Sequence, residues 1–173
     1  RISVGVPDDI PFISLVNEHE ADVAPRANTE AWSVMLYTSG TTAKPKGVPR
    51  RQRAERAAAL AHVAQNLYRN GERTLGVMPL YHTMGARSLL AMSLIGGCYV
   101  CQPDWDAAAA LALVEGERIT SLYPAPTLFH DLVTEPGIQD CDVSSVEAIG
   151  YAGAAMTGAL ANRVEETFRP RIF

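Results

Sequence analysis

From residue 31 onward the chain alternates short apolar runs with stretches of helical period. The first run, residues 32–37, predicts a strand, and a polar loop over 38–47 follows it. Residues 52–69 predict a helix with Ala57, Leu60, Ala61, Ala64 and Tyr68 on one face and Gly71 as its stop. Next come a strand over 74–78, a Pro79-Leu80-Tyr81-His82 turn, a helix over 86–95 and a strand over 98–101. Asp106 is placed to cap an Ala-rich helix over 107–115, because its carboxylate can accept from the free N–H groups of the first turn. A strand over 119–123, a helix over 126–133 and a strand over 146–151 complete the alternation, with Thr157 capping a last helix that reaches Phe168. Strands joined by crossover helices predict an α/β fold with a largely parallel sheet. Residues 1–31 lack a sustained period and read as a peripheral segment, whereas 32–173 read as the working α/β subdomain.

Composition narrows the class. With 173 residues, 47% apolar and 20% charged, the chain can bury a core. It opens at Arg1 and stops at Phe173 inside an apolar stretch, so both ends are expected to be cuts and the subdomain truncated. A formal charge of −4 argues against a nucleic-acid surface. The longest apolar stretch, 88–101, is broken by Gly96-Gly97 and is shorter than the roughly 20 residues that a membrane span needs. Three cysteines give no secretory framework, which makes the cytoplasm the default location. Cys98 and Cys101 have C-x-x-C spacing, but on a strand they point to opposite faces, against a shared metal or redox role.

The sharpest chemistry is the loop Tyr37-Thr-Ser-Gly-Thr-Thr-Ala-Lys-Pro-Lys-Gly47, directly after an apolar strand. Hydroxyls and backbone N–H groups donate to phosphate oxygens, and glycine allows close backbone approach. Lys44 and Lys46 are the only lysines in the chain; every other basic residue is arginine apart from the histidines. A solvated Ser/Thr/Gly connection is the competing reading. The loop does not fit the G-x-x-x-x-G-K-[ST] pattern. It resembles the phosphate-loop motif of the acyl-adenylate-forming superfamily, Tyr-Thr-Ser-Gly-Thr-Thr-Gly-x-Pro-Lys-Gly, with one departure at Ala43, where the family usually has glycine.

Two further segments carry the resemblance. Pro79-Leu80-Tyr81-His82-Thr83-Met84-Gly85 resembles the family's second core motif, in which the histidine lies beside the bound carboxylate, packs on the acyl group or gates the site. The segment 146–156, containing Tyr151-Ala-Gly153-Ala154, resembles the Gly-Ala segment that lines the adenine and acyl pockets. Tyr123-Pro124-Ala-Pro-Thr127 is placed by the same likeness along the acyl wall, and the Arg53-Ala-Glu-Arg56 run is similar to chlorobenzoate:coenzyme A ligases. Taken as bare residues, the histidine is equally a structural one, the small residues a tight turn, and the arginines of 50–56 a solvated helix start.

The resemblance implies part of the large N-terminal domain of an adenylate-forming enzyme, most closely an acyl- or aryl-coenzyme A ligase. It implies ATP, Mg2+ and coenzyme A as cofactors and co-substrates, and a small-molecule carboxylate, with an aromatic acid favoured. Thr38, Ser39, Gly40, Thr41, Thr42 and Lys46 would hold the phosphates, Thr42 would also serve the metal, and Gly153 and Ala154 would border the nucleotide. Lys46 and His82 are the implied catalytic residues, and Tyr81, His82, Pro124, Tyr151 and Gly153 the implied acid-binding ones. No nucleic-acid or membrane partner is expected, and a homo-oligomer is left open. An amino-acid adenylation domain and a non-catalytic nucleotide-binding or structural remnant are the alternatives, the second favoured by Ala43.

Overall fold

The computed structural model describes residues 2–3, 10–11, 28–38 and 44–171. Its central feature is a four-stranded parallel sheet of β5 (Arg73–Gly76), β6 (Cys98–Cys101), β7 (Ser121–Leu122) and β8 (Ala148–Ile149), in the spatial order β6-β5-β7-β8. Two short strands, β1 (Ile2–Ser3) and β2 (Ile10–Pro11), pair separately. The helices are α1 (Gln52–Gln65), α2 (Thr83–Leu94), α3 (Ala107–Gly116), α4 (Pro126–Thr134) and α5 (Gly158–Phe168), with a 3-10 turn at Pro136–Asp140.

Register sorts the strand residues by size. Leu75 lies opposite Val100, and Leu122 opposite Ile149, so these four share one face. Thr74 lies opposite both Tyr99 and Ser121, and Ser121 opposite Ala148, giving a second face of small or polar residues. The large face packs under α3, α4 and α5, where Val114, Phe129, Leu132 and Val164 are fully buried. On the small face Ala91 and Met92 of α2 and Tyr68 after α1 close against Ala148. Small strand residues let α2 approach the sheet, and Gly76 takes the same logic furthest, since the Tyr99 ring fills the space of its missing Cβ.

The strand order reverses once. From β5 the chain moves out to the edge strand β6, then returns past β5 to β7 and continues to β8. Right-handed crossovers then place helices on opposite faces and leave a crevice beyond the carboxyl ends of β5 and β7. Side-chain caps hold two of the helices. Ala109 N–H donates to Asp106 Oδ1 at 2.7 Å, and Leu160 N–H donates to Thr157 Oγ1 at 3.3 Å, as their positions predict.

Three local expectations are corrected. The strand β3 (Trp32–Thr38) does not join the parallel sheet but pairs antiparallel with β4 (Lys46–Arg51), so the expected loop over 38–47 is a hairpin with a shorter tip. Pro49 lies inside β4. A two-stranded ribbon tolerates it, because each strand has an open edge where a missing N–H leaves no ladder bond unmade.

The helix expected over 52–69 ends earlier. Asn66 caps α1 at Gln65, and Leu67 turns the chain at φ 51°. Its inward face is also different: Glu55, Ala59 and His62 are buried, whereas Ala57, Leu60, Ala61 and Ala64 are exposed. Alanine on every side leaves little apolar period, and partners decide the rotation instead. Glu55 points inward because Arg50 pairs with it, and His62 because Tyr68 and Tyr123 enclose it.

Candidate active site

The carboxyl ends of β5, β7 and β8 each carry one of the segments singled out by sequence. After β5 the chain folds back at Pro79, whose carbonyl accepts from His82 N–H at 2.9 Å. His82 is the N-cap residue of α2, yet its side chain makes no capping bond. The imidazole is exposed and tilted against the Tyr81 ring, with centroids 4.8 Å apart. Gly85, in the first turn of α2, sits so close to the Met78 and Pro79 carbonyls that no Cβ fits. The helix therefore starts hard against the strand end.

After β7, Tyr123 is half-buried and Pro124 is fully buried, and Pro126 opens α4 at a position where its missing N–H costs nothing. After β8 the chain carries Tyr151, 41% exposed, and Gly153 at φ 90°. That backbone favours glycine, and Met84 Sδ lies 3.8 Å from where a Cβ would stand, which joins the end of β8 to the first turn of α2. Tyr81, His82, Pro124, Tyr151 and Gly153 are thus gathered at one edge of the parallel sheet, with exposed Ala154 following on the same loop. Beside them a cleft of about 280 Å³, lined by residues that include Met78, Tyr81, Tyr99 and Gln102, opens toward β6.

The phosphate-loop residues divide. Thr38 closes β3 and faces Lys46, which opens β4, across the neck of the hairpin; both are exposed. Ser39, Gly40, Thr41, Thr42 and Ala43 lie outside the described residues, and with them the expected metal ligand. Among the described residues no group of three or more His, Cys, Asp and Glu side chains could hold a metal ion. No described helix is long and apolar enough to cross a membrane.

The whole of this arrangement matches one family model, that of the AMP-binding enzymes, over residues 4–173. The chain belongs to that family. It is 36% identical over 143 residues to the 4-chlorobenzoate–CoA ligase of Pseudomonas sp. strain CBS-3, a match covering 81% of the chain and 27% of that enzyme. It is 35% identical over 127 residues to the chloroplastic/peroxisomal 2-succinylbenzoate–CoA ligase of Arabidopsis thaliana, covering 70% of the chain and 23% of that enzyme. Its fold superposes on the anthranilate CoA ligase AuaEII, solved in complex with anthranoyl-AMP, with a TM-score of 0.84 at 24% identity, over 99% of the chain and 34% of that structure. The chain therefore spans about a quarter to a third of the length of these relatives.

Within this family member, one polar cluster behind the strand ends was not anticipated. His62, in the last turn of α1, is 2% exposed and stands edge-on to Tyr123, with centroids 4.4 Å apart, and to Tyr68 at 5.4 Å. Asn66 Nδ2 lies 3.2 Å from His62 Nδ1 and donates to the His62 carbonyl at 2.8 Å. That second bond orients the amide, so Nδ1 accepts and the imidazole proton belongs on Nε2.

Burial, with the nearby Arg87 charge adding to it, pushes the His62 pKa down to about 4. Burial likewise pushes the Tyr68 hydroxyl up, keeping it protonated. Gly150 completes the cluster, since a Cβ there would stand 2.6 Å from Asn66 Oδ1 and 2.8 Å from the Tyr123 ring. The available sequence signal was a histidine with asparagine four positions on, just before a helix stop.

Proposed function

We propose that this chain is the acid- and nucleotide-binding part of an ATP-dependent acid–CoA ligase, acting on an aromatic carboxylic acid. In the first step a carboxylate oxygen attacks the α-phosphorus of ATP and pyrophosphate leaves. In the second the thiol of coenzyme A attacks the acyl carbon and AMP leaves. The observation that carries this reading is the convergence of His82, Pro124, Tyr151 and Gly153 on one edge of a parallel sheet where the strand order reverses, the place where such sheets bind ligands. The aryl acids in the names of several relatives support the aromatic preference.

In this reading exposed His82 donates a hydrogen bond to the acid carboxylate, or packs on the acyl group as a gate, with Tyr81 beside it. Pro124 and Tyr151 form walls for the ring, and Gly153 and Ala154 leave room for the flat base. Thr38, Ser39, Gly40, Thr41, Thr42 and Lys46 hold the phosphates, and Lys46 offsets charge that builds on the leaving pyrophosphate. Magnesium served by Thr42 belongs to the same proposal, as does a cytoplasmic location.

Residues 32–173 are proposed to form the nucleotide- and acyl-binding subdomain and 1–31 a peripheral segment of the same domain. The short span relative to its relatives, and the exposure of Trp32, Met35 and Tyr37 on the β3–β4 ribbon, support a role inside a longer protein. The fragment alone is then inactive.

The test is carboxylate-dependent ATP–pyrophosphate exchange by the full-length protein, with benzoates, fatty acids and amino acids assayed separately and Lys46→Ala in parallel. Exchange with benzoates, weakened in the variant, is the expected result. Exchange only with amino acids would move the chain to amino-acid adenylation. No exchange at all would favour a non-catalytic role, for which Ala43 is the sequence argument, and Ala43→Gly is then the reversion to make.

A further inference from the structure

The three cysteines stand in different surroundings. Cys141 is half-buried, its Sγ donates to the Leu111 carbonyl at 3.3 Å, and burial pushes its thiol pKa up. Cys98 is also half-buried, at the start of β6. Cys101, at the carboxyl end of the same strand, is exposed. Three positions apart on one strand, Cys98 and Cys101 turn to opposite faces, so the two cannot close a disulfide with each other.

Cys101 lines the cleft of about 280 Å³ beside the strand-end residues, together with Gly76, Met78, Tyr81, Tyr99 and Gln102. That volume is near the lower end of the roughly 300–1,000 Å³ of small-molecule pockets. Gly76 lies opposite Cys101 in the β5–β6 ladder and has no side chain to cover the thiol. The Tyr99 ring crosses Gly76 instead, and burial, with the nearby Cys101 charge adding to it, pushes the Tyr99 hydroxyl pKa up. Gln102 is 7% exposed, and its Nε2 donates to the Asp106 carbonyl at 2.8 Å. That bond orients the amide and leaves Oε1 without a partner among the described residues. Folded proteins leave few buried polar atoms unpaired, so an unpaired acceptor in the wall of a cleft calls for a donor from outside the chain.

We propose that Cys101 is a modification site, captured as a mixed disulfide by a low-molecular-weight disulfide whose arm lies in the cleft and donates an amide N–H to Gln102 Oε1. The Cys101 thiolate attacks one sulfur of the incoming disulfide. A bond from Cys101 Sγ to that sulfur forms as the original S–S bond breaks, and the departing half leaves as a thiolate that takes up a proton. Cys101 is thereby oxidised and half of the reagent reduced, with no further reactant needed. Glutathione and the pantetheine arm of coenzyme A share this amide chemistry. The adduct reaches the strand-end site through Tyr81, which lines the same cleft and whose ring stands 4.8 Å from the His82 imidazole. An arm filling the cleft crowds the turn that carries Tyr81 and His82, and so acts as a reversible brake on the acid. The modification stands apart from the ligase reading above; only the brake rests on it.

The experiment treats the full-length protein with pantethine, oxidised glutathione or diethyl disulfide, the last having no hydrogen-bond donor. Occupancy of each cysteine is followed in time by mass spectrometry of its peptides. Rates are divided by those on free N-acetylcysteine, which removes the intrinsic differences between reagents. Wild type, Cys101→Ser and Gln102→Leu are compared, and an unmodified Cys141 in the same sample reports that the protein is folded. Cys101 is expected to react about tenfold faster than Cys98 or Cys141. Its corrected rate on the amide-bearing reagents should exceed that on diethyl disulfide by about three- to tenfold, the worth of one hydrogen bond, and fall to parity in Gln102→Leu. In ATP–pyrophosphate exchange the modified wild type should lose most of its kcat/KM for the acid and regain it with dithiothreitol, whereas Cys101→Ser keeps its activity through the treatment.

Faster capture by pantethine points to coenzyme A chemistry and faster capture by oxidised glutathione to glutathione; either order supports the proposal. Modification first at Cys98 or Cys141 overturns it. So does a corrected rate on diethyl disulfide equal to those on both amide-bearing reagents, which would give the Gln102 acceptor to water. Capture at Cys101 that leaves exchange unchanged overturns the brake. Absence of exchange with every acid before treatment overturns the ligase reading and leaves the modification, read by mass, standing.

Discussion

The two faces of the parallel sheet are built to different rules. Leu75, Val100, Leu122 and Ile149 meet three helices in a core of aliphatic and aromatic side chains, whereas Thr74, Tyr99, Ser121 and Ala148 meet two helices across a layer that includes His62, Tyr68 and Met92. On the large face the contacts are mainly apolar, and each helix over it covers another part of the same core. The small-face layer carries more buried polar atoms without a hydrogen-bond partner among the described residues, including Nε2 of His62, Nε of Arg87 and Oγ of Ser121. The difference teaches a division of labour. One face supplies stability, and the other accepts a stability cost in order to keep polar groups beside the strand ends.

That division can be broken most severely on the large face. Phe129 is fully buried, and Phe129→Ala should lower unfolding free energy by about 3–5 kcal/mol in denaturant titration, enough to unfold much of an ordinary domain. A loss under about 1 kcal/mol would mean that α4 is not anchored through this ring.

The small face should show itself through pH. His62 has a folded pKa of about 4 against an ordinary 6.5, so the unfolded chain binds the proton first. Stability is therefore fully present above pH 6.5 and falls as pH drops toward 4, by about 3 kcal/mol in all if this group acts alone. His62→Phe should remove that slope, and an identical slope in the variant would place the proton uptake elsewhere.

A smaller effect is expected at the seam between face and site. Gly150→Ala pushes a methyl group into Asn66 and Tyr123, which should cost about 1–3 kcal/mol and raise KM for the acid more than for ATP in the full-length protein. An equal rise in both would detach Gly150 from the acid side. Smallest is the cap: Asp106→Ala should cost about 1 kcal/mol, and Asp106→Asn should restore most of it, as read from thermal melts.

Much of this architecture was legible in the residues. The alternation of strands and helices, both capping side chains and the placing of three segments at strand ends followed from period and local chemistry, which do not need tertiary information. The hairpin partner β4 was not legible, because Pro49 and the Arg50-Arg51 pair look like a break unless the open edges of a two-stranded ribbon are known. The inward face of α1 was missed for a related reason: on an Ala-rich helix the rotation is chosen by partners from distant segments, Arg50 for Glu55 and Tyr123 for His62. Glu55 lies in the stretch expected to be a solvated helix start, and it is buried. The site divided in the same way, with motif residues at strand ends visible in sequence and the donors behind them visible only once α1 and α2 were packed.

Gly85 carries a consequence for motion. With no space for a Cβ between it and the Met78 and Pro79 carbonyls, the turn that bears His82 packs directly against the first turn of α2. The motion expected of His82 is then rotation of its exposed ring. Exposed side chains change rotamer in picoseconds to nanoseconds, far faster than an enzyme turns over. A gate of that kind selects by position, and leaves the pace of the reaction to slower parts of the protein.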